Sequence, residues 1–160
     1  EELSRVFADY GEIKQSLELA KFIVRTRQKK SINTNFELIE VLRSSGVNFR
    51  SKKIHFATQA FQALRIECNK ELENLNIFLE KINNYLNKDG ILAIISFHSL
   101  EDRIVKNFFK SNSFIKNNFK NQSNWGFEIL TKRPITPSQI EIKDNPRSRS
   151  SKLRVGRFVN

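Results

Sequence analysis

Ser96, Phe97, His98, Ser99, Glu101 and Asp102 gather two hydroxyls, an imidazole and two carboxylates into one short stretch of chain. They do not suit a hydrolytic triad. Nucleophile, base and acid normally come from separate elements so that their side chains converge, and neither serine stands in a nucleophile-elbow pattern. Capping accounts for part of the group: Ser99, with Asp102 three residues on, has the pattern of a helix N-terminus, and Glu101 falls in the first turn, where a carboxylate is favoured. Ser96, Phe97 and His98 are left as candidates to line a pocket, with His98 open to a functional or a purely structural part.

A second group is basic. Arg147, Arg149, Lys152 and Arg154 are interleaved with Ser148, Ser150 and Ser151, and Lys132-Arg133 lies shortly before them. Arginines as charged donors and serines as neutral ones suit phosphate contacts. A solvated loop tip is the alternative; the position beside a strand end favours RNA or DNA. Metal ligation is not expected, because His55 and His98 stand far apart and Cys68 is the only cysteine. The five glycines are isolated, so no phosphate-cradling loop is present either.

These groups need elements to position them. Ile91 to Ile95 are consecutively apolar after a Lys88-Asp89-Gly90 turn, the pattern of a strand buried on both faces inside a parallel sheet. Beyond it Ile104, Val105, Phe108 and Phe109 recur on one helical face. Residues 96–99 therefore form a strand-to-helix crossing at a strand's carboxyl end, where open α/β sheets bind ligands.

Upstream, Leu3, Val6, Phe7 and Tyr10 mark a helix stopped by Gly11. A second runs from about Glu12 to Arg27 with Ile13, Leu17, Ala20, Ile23 and Val24 inward. Thr34 and Glu37 form a capping box for a third, with Leu38, Ile39 and Leu42 inward. Three such helices need a neighbour to finish their core. Residues 47–57 read as a basic connector carrying Arg50, Lys52, Lys53 and His55. Phe61, Leu64, Cys68, Leu72, Leu75, Leu79, Ile82 and Leu86 then predict one helix, or two with a bend, packed on the sheet, with Cys68 as a buried thiol. Residues 111–124 form a polar loop or lid with Phe114 and Phe119. Phe127 to Thr131 is a strand, Thr136 caps a short helix with Pro137 at its first position, and Lys152 to Phe158 is a closing strand.

The 160 residues are 39% hydrophobic and include 14 Phe, 2 Tyr and 1 Trp, enough for a globular core. Against 17 Asp and Glu stand 28 Lys and Arg, a net charge of +11 that favours a polyanionic partner. A general bias toward Lys, Asn, Ile and Phe is the plain alternative, but Lys132 to Arg157 holds eight basic residues against only Glu141 and Asp144. No apolar run reaches membrane-spanning length and no signal-type leader opens the chain, so a cytoplasmic protein is expected. With no Met and a helical pattern already at Glu1, the natural start is expected upstream.

Four stretches, in one order, resemble the ribosomal RNA small subunit methyltransferase H family: Phe61-Gln62-Ala63-Leu64-Arg65-Ile66-Glu67-Cys68-Asn69, then Ile95-Ser96-Phe97-His98-Ser99-Leu100-Glu101-Asp102-Arg103-Ile104-Val105-Lys106, then Leu130-Thr131-Lys132-Arg133-Pro134-Ile135-Thr136-Pro137-Ser138, and Asn145-Pro146-Arg147-Ser148-Arg149-Ser150-Ser151-Lys152-Leu153-Arg154-Val155. The helical region before them, with His55-Phe56-Ala57-Thr58, is similar to that family's inserted domain. The resemblance implies an α/β fold: the C-terminal half of a class I, Rossmann-like methyltransferase sheet over residues 58–160, preceded by part of an all-helical substrate-recognition domain over 1–57. It implies S-adenosylmethionine-dependent methylation of the N4 amino group of a cytidine in small-subunit ribosomal RNA, with the base taken out of its stack.

In that family the glycine-rich cofactor loop, the acidic residue for the cofactor ribose and the acidic strand-end motif precede the inserted domain, and none is in this sequence. The cofactor site is therefore expected mainly upstream, and these 160 residues alone are expected to be inactive. Ser96, Phe97 and His98 are the candidates for the target-base side of the cleft, and Lys132, Arg133, Arg147, Arg149, Lys152 and Arg154 for RNA. A stand-alone RNA-binding module without chemistry is the other function these features allow.

Overall fold

The computed structural model describes residues 1–48, 57–113 and 125–159, so the connector residues Arg50, Lys52, Lys53 and His55 and the lid residues Phe114 and Phe119 lie outside the described residues. The chain divides into two compact units, Glu1–Glu71 and Leu72–Asn160. The sequence-based boundary at 57/58 falls earlier, because the helix that follows it packs with the first unit.

That unit contains α1 (Glu2–Asp9), α2 (Ser16–Lys29), α3 (Asn35–Ser44) and α4 (Thr58–Asn69). The neighbour the first three helices need is α4, whose buried face is Ala60, Ala63 and Ile66. Small side chains there let α1 and α4 come close, and a Cβ at Gly11 would meet the Phe7 carbonyl oxygen at 2.8 Å and that of Gln59 at 3.1 Å. Gln59 and Gln62 donate to the carbonyls of Gly11 and Tyr10, satisfying the end of α1. The capping box on α3 is present in both halves: Thr34 Oγ1 accepts from the Glu37 N–H, and the Glu37 carboxylate accepts from the Thr34 N–H. Two expectations fail in this unit. The second helix begins at Ser16 instead of Glu12, whose φ of 50° is left-handed, and its buried face is Ser16, Leu19, Ala20 and Ile23; Leu17 turns to solvent and Leu19 takes the core. Cys68, expected buried, is exposed, because the inward stripe of α4 runs through its alanines.

The second unit holds α5 (Glu71–Lys81), a 3-10 turn at Ile82–Asn84, β1 (Ile91–Ser96), α6 (Ser99–Ser111), β2 (Gly126–Ile129), α7 (Gln139–Asp144), a 3-10 turn at Pro146–Ser150 and β3 (Lys152–Val159). The long amphipathic stretch is thus two helices, interrupted at Lys70 in the left-handed conformation (φ 52°, ψ 38°). The short helix near Thr136 is capped by Ser138, whose Oγ accepts from the Glu141 N–H at 3.1 Å. Its start moves two residues on from the expected cap because the Ser138/Glu141 pair closes the first turn.

The sheet order is β1-β3-β2, with β3 antiparallel to both neighbours. β1 and β2 accordingly run the same way, joined by α6, with a reversed strand between them. This differs from the expected parallel surroundings of β1: among the described residues its one strand neighbour is β3. Its burial is one-sided as well, with Leu92 in the core while Ile91 and Ile95 are 52% and 58% exposed. The covered face holds Leu92, Val105, Phe109, Phe127 and Phe158, against which Leu75, Leu86, Phe108 and Trp125 pack. Four edge-to-face or tilted ring pairs centre on Phe127. Gly156 makes this possible: a Cβ there would stand 2.6 Å from the ring of Phe109.

Candidate functional site

β1 ends at Ser96 and α6 begins at Ser99, so Phe97 and His98 form the crossing that the sequence predicts. The helix cap lies one residue earlier than expected. His98 is extended (φ −140°, ψ 166°) while Ser99 is already helical, which makes His98 the N-cap. Its Nδ1 accepts from the Glu101 N–H at 3.4 Å, and the Glu101 carboxylate accepts from the N–H groups of Phe97 at 2.8 Å and His98 at 3.3 Å. The imidazole Nε2 also lies 3.5 Å from Glu101 Oε2. This reciprocal box fastens the turn with side chains on both partners.

Of the three pocket candidates, Ser96 is buried, its hydroxyl 3.4 Å from the Lys152 carbonyl oxygen, and the His98 side chain is also buried. Phe97 alone presents its side chain outward, at 54% exposure.

Asp102, expected to serve the cap, is released from it and joins another strand. Arg154 Nε donates to its Oδ1 at 2.7 Å, Arg154 Nη2 to Oδ2 at 3.3 Å and Lys152 Nζ to Oδ2 at 3.2 Å. The register of β3 on β1 supplies these cations, since Arg154 stands opposite Ile94 and Lys152 opposite Ser96. Burial pushes the Asp102 carboxyl upward, but the hydrogen bonds and charges of Arg154 and Lys152 outweigh it and hold the group below the usual carboxylate range. The Arg154 side chain is only 11% exposed. It therefore does not present a free cation to RNA as the sequence leads one to expect; it is spent on a buried carboxylate 52 positions away.

The remaining basic residues do face outward. Lys132 and Arg133 lie between Thr131, whose N–H and hydroxyl meet the backbone of Val155, and Ile135, which pairs with Leu153. Both are exposed, as are Arg147 and Arg149 on the 3-10 turn that runs directly into Lys152. The two basic segments thus flank the first half of β3, and the Ser96–Lys152 pairing brings the end of β1 to the same edge. Ser148 is not a phosphate donor in this arrangement: it is buried, and its hydroxyl donates to the Asn145 carbonyl at 2.8 Å.

The helical unit carries a feature not assigned from the sequence. A groove of about 590 Å³ between the end of α2 and α3 is lined by Thr26, Lys30, Ile32, Phe36, Ile39 and Val41. Phe36, in the first turn of α3, is 82% exposed at this groove. The available signal was the run Arg25-Thr26-Arg27-Gln28-Lys29-Lys30 shortly before an aromatic outside any apolar period.

With this geometry in view, comparison with known proteins gives a consistent answer. A sequence model of the MraW methylase family matches residues 1–159. The chain is 51% identical over 160 residues to a protein named ribosomal RNA small subunit methyltransferase H from a Sulfurihydrogenibium species, covering 99% of this chain and 52% of that one. Identically named proteins from Helicobacter pylori and Rickettsia prowazekii are 48% and 45% identical, over 98% and 99% of this chain and 51% and 54% of theirs. The chain spans about half the length of these curated relatives.

Proposed function

The chain belongs to the MraW methylase family, and from that premise we propose that it forms the RNA-facing portion of an S-adenosylmethionine-dependent methyltransferase. Its substrate is small-subunit ribosomal RNA and its target the N4 amino group of a cytidine. The observation that carries this reading is the placement, at the edge where β1 ends and β3 begins, of an exposed Phe97 and of the basic segments Lys132-Arg133 and Arg147–Arg149 that adjoin the start of β3. A base lifted from its stack needs an apolar or aromatic face to rest on and cations to hold the phosphates beside it. Phe97 offers the face. Lys132, Arg133, Arg147 and Arg149 offer the charges, and His98 with Glu101 fixes the turn on which Phe97 sits.

The fold is consistent with half of a class I, Rossmann-like sheet. β1, α6 and β2 make a crossover between parallel strands, and one reversed strand in an otherwise parallel sheet is a common variation. On this reading the edge of β1 away from β3 receives the rest of the sheet, and the face that Ile91 and Ile95 leave uncovered is covered by the elements that come with it.

The cofactor is a sulfonium cation carrying a ribose diol, and it supplies the methyl group. The strand-end turn offers it no carboxylate: Glu101 is committed to the cap, and Asp102 to Arg154 and Lys152. No residue described here is assigned to it, and the chain's own residues act on the RNA side.

The decisive experiment measures transfer of labelled methyl groups to small ribosomal subunits lacking the modification, using the longer protein that contains these residues. Labelled N4-methylcytidine is expected after digestion to nucleosides, falling at least tenfold with Phe97→Ala. Absence of transfer by the longer protein overturns the reading in favour of a non-catalytic RNA-binding module. Titration of S-adenosylmethionine into the 160-residue chain is expected to give no heat; saturable one-to-one binding would refute the assignment of the cofactor elsewhere.

A further inference from the structure

The geometry points to a second RNA-contacting surface on the helical unit: we propose that the groove carrying Phe36, with the cationic side of α2, holds a single-stranded stretch of the RNA substrate. The inference rests on the reading that this chain acts on RNA with its helical part taking a share in substrate recognition, and it adds which residues make the contact and which form of the RNA they hold. Lys21, Arg25 and Lys29 are four residues apart, so they share one side of α2, and all three are exposed. Thr26, next to Arg25 on α2, and Lys30, just past the end of the helix and next to Lys29, both line the groove, so the basic stripe lies beside it.

The carboxylates of the groove are internally neutralised: Glu37 lies 3.1 Å from Lys30 and Glu40 2.6 Å from Arg43. Among the described residues no carboxylate lies within ion-pair distance of Lys21, Arg25 or Lys29, so the stripe keeps its full positive charge. A large aromatic ring left 82% exposed beside such a stripe is the combination used for single strands, in which bases stack on the ring while cations track the backbone. A duplex keeps its bases stacked on one another and cannot use Phe36 in this way.

The 160-residue chain is titrated against a fluorescein-labelled single-stranded RNA of roughly 12 nucleotides and mixed sequence, and against the corresponding blunt duplex. The single strand is expected to bind more tightly. Phe36→Ala should weaken single-strand binding roughly tenfold or more while leaving the salt dependence and duplex binding in place. The triple variant Lys21→Glu/Arg25→Glu/Lys29→Glu should lower the slope of log affinity against log salt by about 2. Arg147→Ser/Arg149→Ser should lower the slope too but keep the preference for the single strand. Phe36 is exposed, so unchanged circular dichroism is expected and establishes that the variant folds.

Phe36→Ala binding the single strand as the parent does would overturn the proposal, as would an unchanged slope in the triple variant. A Phe36→Ala variant that keeps its RNA affinity but loses association with another protein segment would assign the groove to protein docking instead. Methyl transfer is not read in this experiment, so failure of the groove leaves the transferase reading standing, and failure of transfer leaves the groove standing.

Discussion

Alanines at 60 and 63 and the glycine at 11 let the helices of residues 1–71 approach backbone to backbone, whereas residues 72–160 interlock large aromatic rings over a glycine and bury a carboxylate between two cations. The helical unit closes the start of α3 locally, through Thr34 and Glu37 three positions apart, and the end of α1 through Gln59 and Gln62 on α4. The sheet unit fastens the turn at Phe97 and His98 locally through Glu101, but ties Asp102 to Lys152 and Arg154, 50 and 52 positions away, joined only once β3 has paired with β1. Local ties are individually small and independent. A buried charge cluster is all or nothing, because removing one member strands the others.

The largest expected effect tests that cluster. Asp102→Asn should cost about 3–5 kcal/mol, read by urea unfolding followed through Trp125, the only tryptophan, which packs in the aromatic cluster of the sheet unit. Replacing Asp102 and Arg154 together by leucine should recover much of that loss; if it does not, the pair acts by more than mutual neutralisation. The same carboxylate gives a pH dependence. Its folded pKa is depressed, so its contribution is present above the ordinary carboxylate range of about 4 and is lost as pH falls through the lower folded value. Asp102→Asn should flatten that acid limb.

Next is Gly156→Ala, whose added Cβ would enter the ring of Phe109. A loss of about 1–3 kcal/mol is expected in the Trp125 signal, relieved by Phe109→Leu in the same chain. Thr34→Ala should cost about 1 kcal/mol, visible in the helical signal of circular dichroism and absent from Trp125. If both probes move together, the units unfold as one and the contrast between them fails. Arg147→Ser/Arg149→Ser should change stability by less than about 0.5 kcal/mol, because both arginines stand on an exposed turn.

The same contrast separates what the sequence makes legible from what only the fold brings together. The Thr34–Glu37 box, the strand after Lys88-Asp89-Gly90 and the turn at Asn145-Pro146 are short-range patterns, and each forms where the sequence puts it. Leu17 and Cys68 lie outside the buried faces because apolar spacing gives the period of a helix but not its phase, which the packing of Leu19, Ala20 and Ile23 in α2 and of the small-residue face of α4 sets instead. The exchange of roles between Ser99 and His98 had a local cause: both can cap, and the backbone of His98 alone is extended. The tie of Asp102 to Arg154 had no local signal. It depends on the antiparallel register of β3, and a sequence suggesting parallel surroundings for β1 gives no means of aligning the two. Two of the basic residues expected to meet RNA therefore turned out to bind a carboxylate, while the exposed ones stayed available.

The exposure of Cys68 has a practical consequence. It is the chain's only thiol and stands on the solvent side of α4, so a maleimide dye will attach at one position and in one unit. Paired with Trp125 in the other unit, it gives each half of the chain its own optical reporter without any engineered residue.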